Sequence, residues 1–152
     1  MTYTLITANR NYSSWSLRPW MLMKALNLPF EDRIEPFAAA TNYAAFRSFS
    51  PTGQVPALLD GDRTVWDSLG IILYLADRHA GVWPADEAAR TFAQCAVAEM
   101  HSGFAHLRNA KRKLQACVVL DKTEIGEDEL RCLRAKESPI LFILFWTYCG
   151  LK

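Results

Sequence analysis

No two cysteines in this chain stand close enough in sequence to form a C-x-x-C pair. Cys95, Cys117, Cys132 and Cys149 are widely spaced. That argues against a zinc ribbon, a dithiol redox centre and a disulfide framework, and leaves reduced thiols in a cytoplasmic protein as the expectation. Excess charge is missing too. Lys and Arg number 17 against 16 Asp and Glu, a formal net charge of +1. No electrostatic field of one sign points to nucleic acid or to a membrane surface. There is no long hydrophobic run. The most apolar stretch, Ile140–Trp146 (ILFILFW), is far shorter than the about 20 residues that cross a bilayer, and reads as a buried segment. The opening MTYTLITANRN has no basic segment followed by an apolar one, so no signal peptide is expected. Internal repeats, a glycine-rich phosphate loop and a Ser/His/Asp constellation are also not seen.

What is present is an alternation of short elements. Residues 3–8 alternate and carry β-branched side chains, which predicts a strand. Leu17, Trp20, Met21, Leu22, Ala25 and Leu26 have helical spacing. Serines and Pro19 stand at the start of that helix, and Asn27 and Pro29 at its end. Residues 30–36 suggest an edge strand, and residues 38–49 a short irregular helix and a loop. Val55–Leu59 and Arg63–Trp66 read as two strands joined at Gly61-Asp62. Residues 67–79 form an apolar helix opening with Asp-Ser, residues 80–84 a linker, and residues 85–110 one long helix. The order β-α-β-α-β-β-α is that of an α/β thioredoxin-like domain, expected at 1–80. A helical C-terminal region follows over 85–152.

The composition shifts abruptly after Ala110. The first 110 residues hold one lysine, Lys24, and are rich in alanine, while five lysines and only Ala116 and Ala135 follow. Two explanations stand: a domain boundary, or an unrelated tail that replaced the natural continuation after a frameshift or aberrant splicing. Genomic sequence around codon 110 separates them. The tail hypothesis fails if no alternative frame encodes an alanine-rich helical continuation.

Three short motifs carry chemistry. Asn11–Trp20 reads NYSSWSLRPW and places Ser13, Ser14 and Ser16, with Arg18 near, at a helix start. A helix N-terminus offers unpaired N–H groups and positive potential, which stabilise anions including thiolates. A hydroxyl there adds one more donor, and it also serves simple N-capping. In Gln54-Val55-Pro56 the proline opens a strand, and a cis Val55–Pro56 bond would turn the Val55 N–H and C=O outward. A peptide ligand could then pair with Val55 as an added strand, although an edge-strand proline is the ordinary alternative. Trp66-Asp67-Ser68 opens the apolar helix. Ser68 and free N–H groups suit a carboxylate, and Asp67 suits an ammonium, beside the ordinary role of capping. His101 and His106 lie five apart, which puts them on different helix faces and makes a poor metal pair.

SSWSLRPW, QVPALL and DSLGIILYLAD together resemble the glutathione S-transferases. Residues 1–110 resemble the N-terminal domain and the first helix of the second domain. The serine start looks nearest to the zeta class, which includes maleylacetoacetate isomerase and carries S-S-C-S-x-R. Ser13, Ser14, Ser16 and Arg18 match that pattern, while Trp15 stands where that class has cysteine. The resemblance implies that Ser13 or Ser14 hydrogen-bonds the thiolate of glutathione. It adds Ser16, Arg18, Gln54, Val55, Pro56, Asp67 and Ser68 as glutathione-binding residues, with Val55 on the peptide backbone and Asp67-Ser68 on the γ-glutamyl end. It further implies a cytoplasmic, usually dimeric detoxification transferase that uses glutathione as co-substrate against a small hydrophobic electrophile. No metal, nucleic-acid or membrane partner is expected.

Relatives carry several more helices after the first of their second domain, so the C-terminal region is expected to be shortened. That opens an alternative: a truncated, non-catalytic chain that binds glutathione or acts as an interaction fragment. A thiol–disulfide reductase of the same fold is disfavoured, because its chemistry needs a thiolate where this sequence has Trp15 and serines.

Overall fold

The computed structural model describes residues 2–10, 13–38 and 42–103 of the chain. The chain divides into two units, Met1–Val82 and a second from Trp83 onward. The first unit contains β1 (Tyr3–Thr7), α1 (Ser14–Ala25), β2 (Phe30–Ile34), α2 (Tyr43–Arg47), β3 (Ala57–Asp60), β4 (Arg63–Trp66) and α3 (Ser68–Ala76). This is the predicted thioredoxin-like order.

The four strands form one sheet in the order β2-β1-β3-β4. β1 runs parallel to β2, from Tyr3↔Phe30 to Thr7↔Ile34, and α1 is the crossover that a parallel pair requires. β3 lies antiparallel to β1 with Ile6 opposite Ala57, and β4 antiparallel to β3 with Ala57 opposite Trp66. Gly61 makes the β3–β4 turn at φ +58°, a conformation that glycine adopts without steric cost.

Local chemistry sets the helix ends. α1 starts at Ser14, three residues before the predicted Leu17, because the Ser13 side chain caps it and draws the serines into the first turn. Pro19 lies in the second turn, where it cannot donate to the Trp15 carbonyl one turn back. The predicted stop at Asn27 is a Schellman arrangement. Asn27 takes φ +52°, its N–H donates to the Lys24 carbonyl at 3.1 Å, and the Leu28 N–H donates to the Met23 carbonyl at 2.9 Å. α2 is shorter than predicted. β3 begins at Ala57 rather than Val55, because Val55 and Pro56 precede the ladder.

The core of this unit joins the sheet to α1 and α3. Leu5, Ile6, Leu22, Leu58, Ile71 and Leu75 are fully buried. A second contact fixes where α1 begins. Asp32 on β2 accepts from Arg10 at 2.7 Å through one carboxylate oxygen and from Trp20 Nε1 at 2.8 Å through the other. One side chain thereby holds both the segment after β1 and the helix that follows it.

In the second unit, α4 (Glu87–Ser102) begins two residues after the predicted start, because Asp86 caps it by accepting from the Ala89 N–H at 2.8 Å. Arg90 donates to the carbonyls of Pro84 and Ala85 and secures the chain entering the helix. Ala93, Val97 and Met100 form its buried stripe. The predicted continuation of this helix to Ala110, the composition shift, His106, Cys117, Cys132, Cys149 and Ile140–Trp146 lie outside the described residues. Among the described residues no helix is long and apolar enough to cross a membrane.

Two predictions test this packing. Leu22→Ala opens a cavity between α1 and the sheet and should cost about 2–5 kcal/mol in urea unfolding. The second concerns Tyr3, whose hydroxyl lies 2.9 Å from His79 Nε2. Burial, helped by Asp60 and Tyr74 and opposed by Arg78, raises its pKa. The folded state therefore favours the protonated phenol. The stability this contributes is complete below the unfolded value of about 10 and is lost as pH rises through the higher folded value. Ultraviolet titration should show a late-ionising tyrosine that Tyr3→Phe removes.

Candidate functional site

The strand register gathers the three sequence motifs. The C-terminal end of β1 leads to α1, Ala57 beside it opens β3 just after Val55-Pro56, and Trp66 beside Ala57 closes β4 just before Asp67-Ser68. All three motifs therefore stand at one end of the sheet.

At α1 the serines divide their work. Ser13 is the N-cap, and its carbonyl accepts the first helical bond from the Leu17 N–H at 3.1 Å. Its hydroxyl oxygen accepts from the Ser16 N–H at 3.3 Å, and its hydroxyl proton is donated to Ser16 Oγ at 3.0 Å. Ser16 is fully buried, and its Oγ also accepts the Ala8 N–H at 3.2 Å. Ser14 is exposed. No acidic residue occupies the first turn, so the positive end of the helix keeps its full potential. Arg18 is buried, with its guanidinium 4.2 Å from the centre of the Trp15 ring, a cation–π contact worth about 0.5–2 kcal/mol.

Val55–Pro56 is a cis peptide, one of the two alternatives that the sequence left open. Pro56 is buried, Gln54 is exposed and Val55 is half-buried. The ladder starts at Ala57, which leaves the Val55 backbone outside the sheet pairing.

At α3 the backbone is unusual. Asp67 has φ +69° and ψ 140°, a combination that a non-glycine residue holds at a cost of about 1–3 kcal/mol. Its carboxylate accepts from the N–H groups of Leu69 at 2.8 Å and Gly70 at 3.2 Å. Ser68 is buried, and its Oγ has no hydrogen-bond partner among the described residues. An orphaned buried hydroxyl is costly, and here it stands in the first turn of a helix.

The sequence reading missed one participant, the Ala8 N–H that holds Ser16. It is a backbone group, and no side-chain pattern announces it. Among the described residues, no three His, Cys, Asp or Glu side chains cluster as metal ligands. Cys95 is exposed on α4.

Comparison with known proteins agrees with the fold. The family model "Glutathione S-transferase, N-terminal domain" matches residues 12–78. Dichloromethane dehalogenase from Methylophilus leisingeri is 40% identical over 55 residues, covering 35% of this chain and 21% of that protein. The same enzyme from Methylorubrum extorquens is 38% identical over 65 residues, 40% of this chain and 23% of that protein. The match thus spans about a fifth of these curated relatives. Among solved structures, a glutathione transferase homologue from Burkholderia GL BGR1 with bound glutathione aligns at TM-score 0.58 and 26% identity, covering 76% of this chain and 65% of that one. A theta-class enzyme from Xanthomonas axonopodis pv. citri, also with glutathione bound, aligns at TM-score 0.57 and 25% identity, covering 69% and 51%. Residues 12–78 are thus similar to the N-terminal, thioredoxin-like domain of the glutathione S-transferases.

Proposed function

We propose that this chain binds glutathione across the three motifs and activates its thiol for attack on a small hydrophobic electrophile. The observation that carries this reading is the register that brings the α1 start, Val55 and the α3 start to one sheet end. The sulfur lies at the α1 N-terminus, beside Ser13 Oγ, which accepts the Ser16 N–H. The Val55 N–H and C=O pair with the peptide backbone of the ligand. The γ-glutamyl carboxylate satisfies Ser68 Oγ, and its ammonium faces the Asp67 carboxylate. Gln54, Arg18 and Ser16 support this site from its edge and from beneath. Bound relatives from Burkholderia and Xanthomonas support the same ligand.

The catalytic work is electrostatic. Amide dipoles and a hydroxyl stabilise the thiolate, so more of the bound thiol is ionised at neutral pH. The thiolate then attacks carbon and the leaving group departs. The reaction needs no metal. Homodimer formation belongs to this reading.

A second reading is a glutathione-binding chain without turnover. The family match is confined to residues 12–78, the part that carries this site, and so supports binding more directly than turnover. Conjugation of a chlorinated aromatic substrate by the full chain decides between them. Turnover supports the transferase, and retention on immobilised glutathione without turnover supports the binder.

Two substitutions test the site. Ser13→Ala should raise the pKa of the bound thiol and lower turnover at least about tenfold, roughly 1.4 kcal/mol of barrier. The same change removes the cap at about 1 kcal/mol of stability, so rates are read well below the melting temperature. Ser14→Ala should change turnover by less than about twofold. A larger loss in Ser14→Ala than in Ser13→Ala assigns the sulfur contact to the exposed hydroxyl, and equal rates in both variants and the parent remove serine from the mechanism. Asp67→Asn keeps acceptors for Leu69 and Gly70 but removes the charge. It should weaken retention on immobilised glutathione, an effect that added salt reduces in the parent.

A further inference from the structure

Resting on that reading, we infer that Ser16 is a positioning residue for the thiol: it acts through Ser13 and never touches the ligand. Its hydroxyl is fully buried, so glutathione does not reach it. Yet Ser16 grips Ser13 twice. Its N–H donates to Ser13 Oγ at 3.3 Å, and its Oγ accepts a hydrogen bond from the Ser13 O–H at 3.0 Å. Ser16 Oγ is itself anchored by the Ala8 N–H at 3.2 Å, directly after β1. Ser13 Oγ is therefore fixed from the strand side as well as from the helix side.

A simple cap does not need this second grip. The N–H bond alone completes the capping interaction. The additional hydroxyl–hydroxyl contact decides where the Ser13 proton points. Without ligand it points inward, to Ser16. A thiolate is a stronger acceptor than a neutral hydroxyl, so on binding the Ser13 O–H turns outward to sulfur. The Ser16 hydroxyl turns in compensation and donates to Ser13 Oγ. The chain then runs from the Ala8 N–H through Ser16 and Ser13 to sulfur, each bond polarising the next. Both steps are hydroxyl rotations. The thiol proton leaves to water, no bond to carbon changes and nothing is oxidised.

The test titrates the thiolate absorbance of glutathione bound to the full chain and compares affinity for S-methylglutathione, which has no thiol proton. Ser16→Ala should raise the bound thiol pKa by roughly half a unit or more, while affinity for S-methylglutathione stays within about twofold. Ser16→Thr, which keeps the hydroxyl, should restore the parent value. In a Ser13→Ala background, Ser16→Ala should add no further shift, because its effect passes through Ser13. A purely structural Ser16 would lower stability and both affinities together and leave the pKa in place, which overturns the inference. So would a Ser16→Ala shift that persists without Ser13. Should Ser16→Ala fail to fold, Ser16→Cys carries the test, since its weaker acceptor should give the same direction of shift. If the parent chain itself leaves the thiol pKa at its free value, the functional reading falls and the inference with it. A parent that lowers the pKa alongside an unaffected Ser16→Ala sinks the inference alone.

Discussion

The pairing of β1 with β3 is the constraint on which the rest of the site depends. Ile6 faces Ala57, and Ala57 faces Trp66. That single row of residues places the exit of one strand, the entry of the next and the exit of the third side by side. Leu5 and its partner Leu58 share one face of the sheet, Ile6 and Ala57 the other, and all four are fully buried, so a one-residue slip would break the matching of faces on which their packing depends. The site thus inherits its geometry from hydrophobic packing, although its own groups are polar.

At that sheet end, the polar groups divide between those the protein satisfies and those it leaves open. Ser13 and Ser16 satisfy each other and the start of α1. Asp67 satisfies two N–H groups of α3 while holding an unfavourable backbone conformation. Ser68 Oγ has no partner among the described residues. Strain and an orphaned hydroxyl in adjacent residues are expensive for a fold with only marginal stability. They coincide at the sheet end that also carries the serine cap.

Much of this was legible in the sequence because short-range rules govern it. Asn27 as a helix stop, Gly61-Asp62 as a turn and Asp67-Ser68 as a helix start each follow from local backbone preference. The cis bond before Pro56 was readable as a possibility of its context. The start of α1 was placed three residues late, because apolar spacing begins at Leu17 whereas the cap is set by a hydroxyl at Ser13. The division of roles among three serines was not legible at all. It depends on the Ala8 N–H, and the chain reversal that brings this group near Ser16 leaves no trace in composition. The burial of Arg18 over Trp15 was hidden for a similar reason, since an arginine in a helix ordinarily reads as solvent-facing.

The double hold of Asp32 on Arg10 and Trp20 has a consequence for how this sequence tolerates change. Outer strands are ordinarily where evolution is most permissive, and four of the five residues of β2 are exposed. Here a carboxylate on that outer strand sets the path of the chain entering the serine cap. Neutral drift at this solvent-washed position would be felt at α1 and the segment before it, so selection should guard Asp32 more closely than its neighbours Glu31 and Arg33.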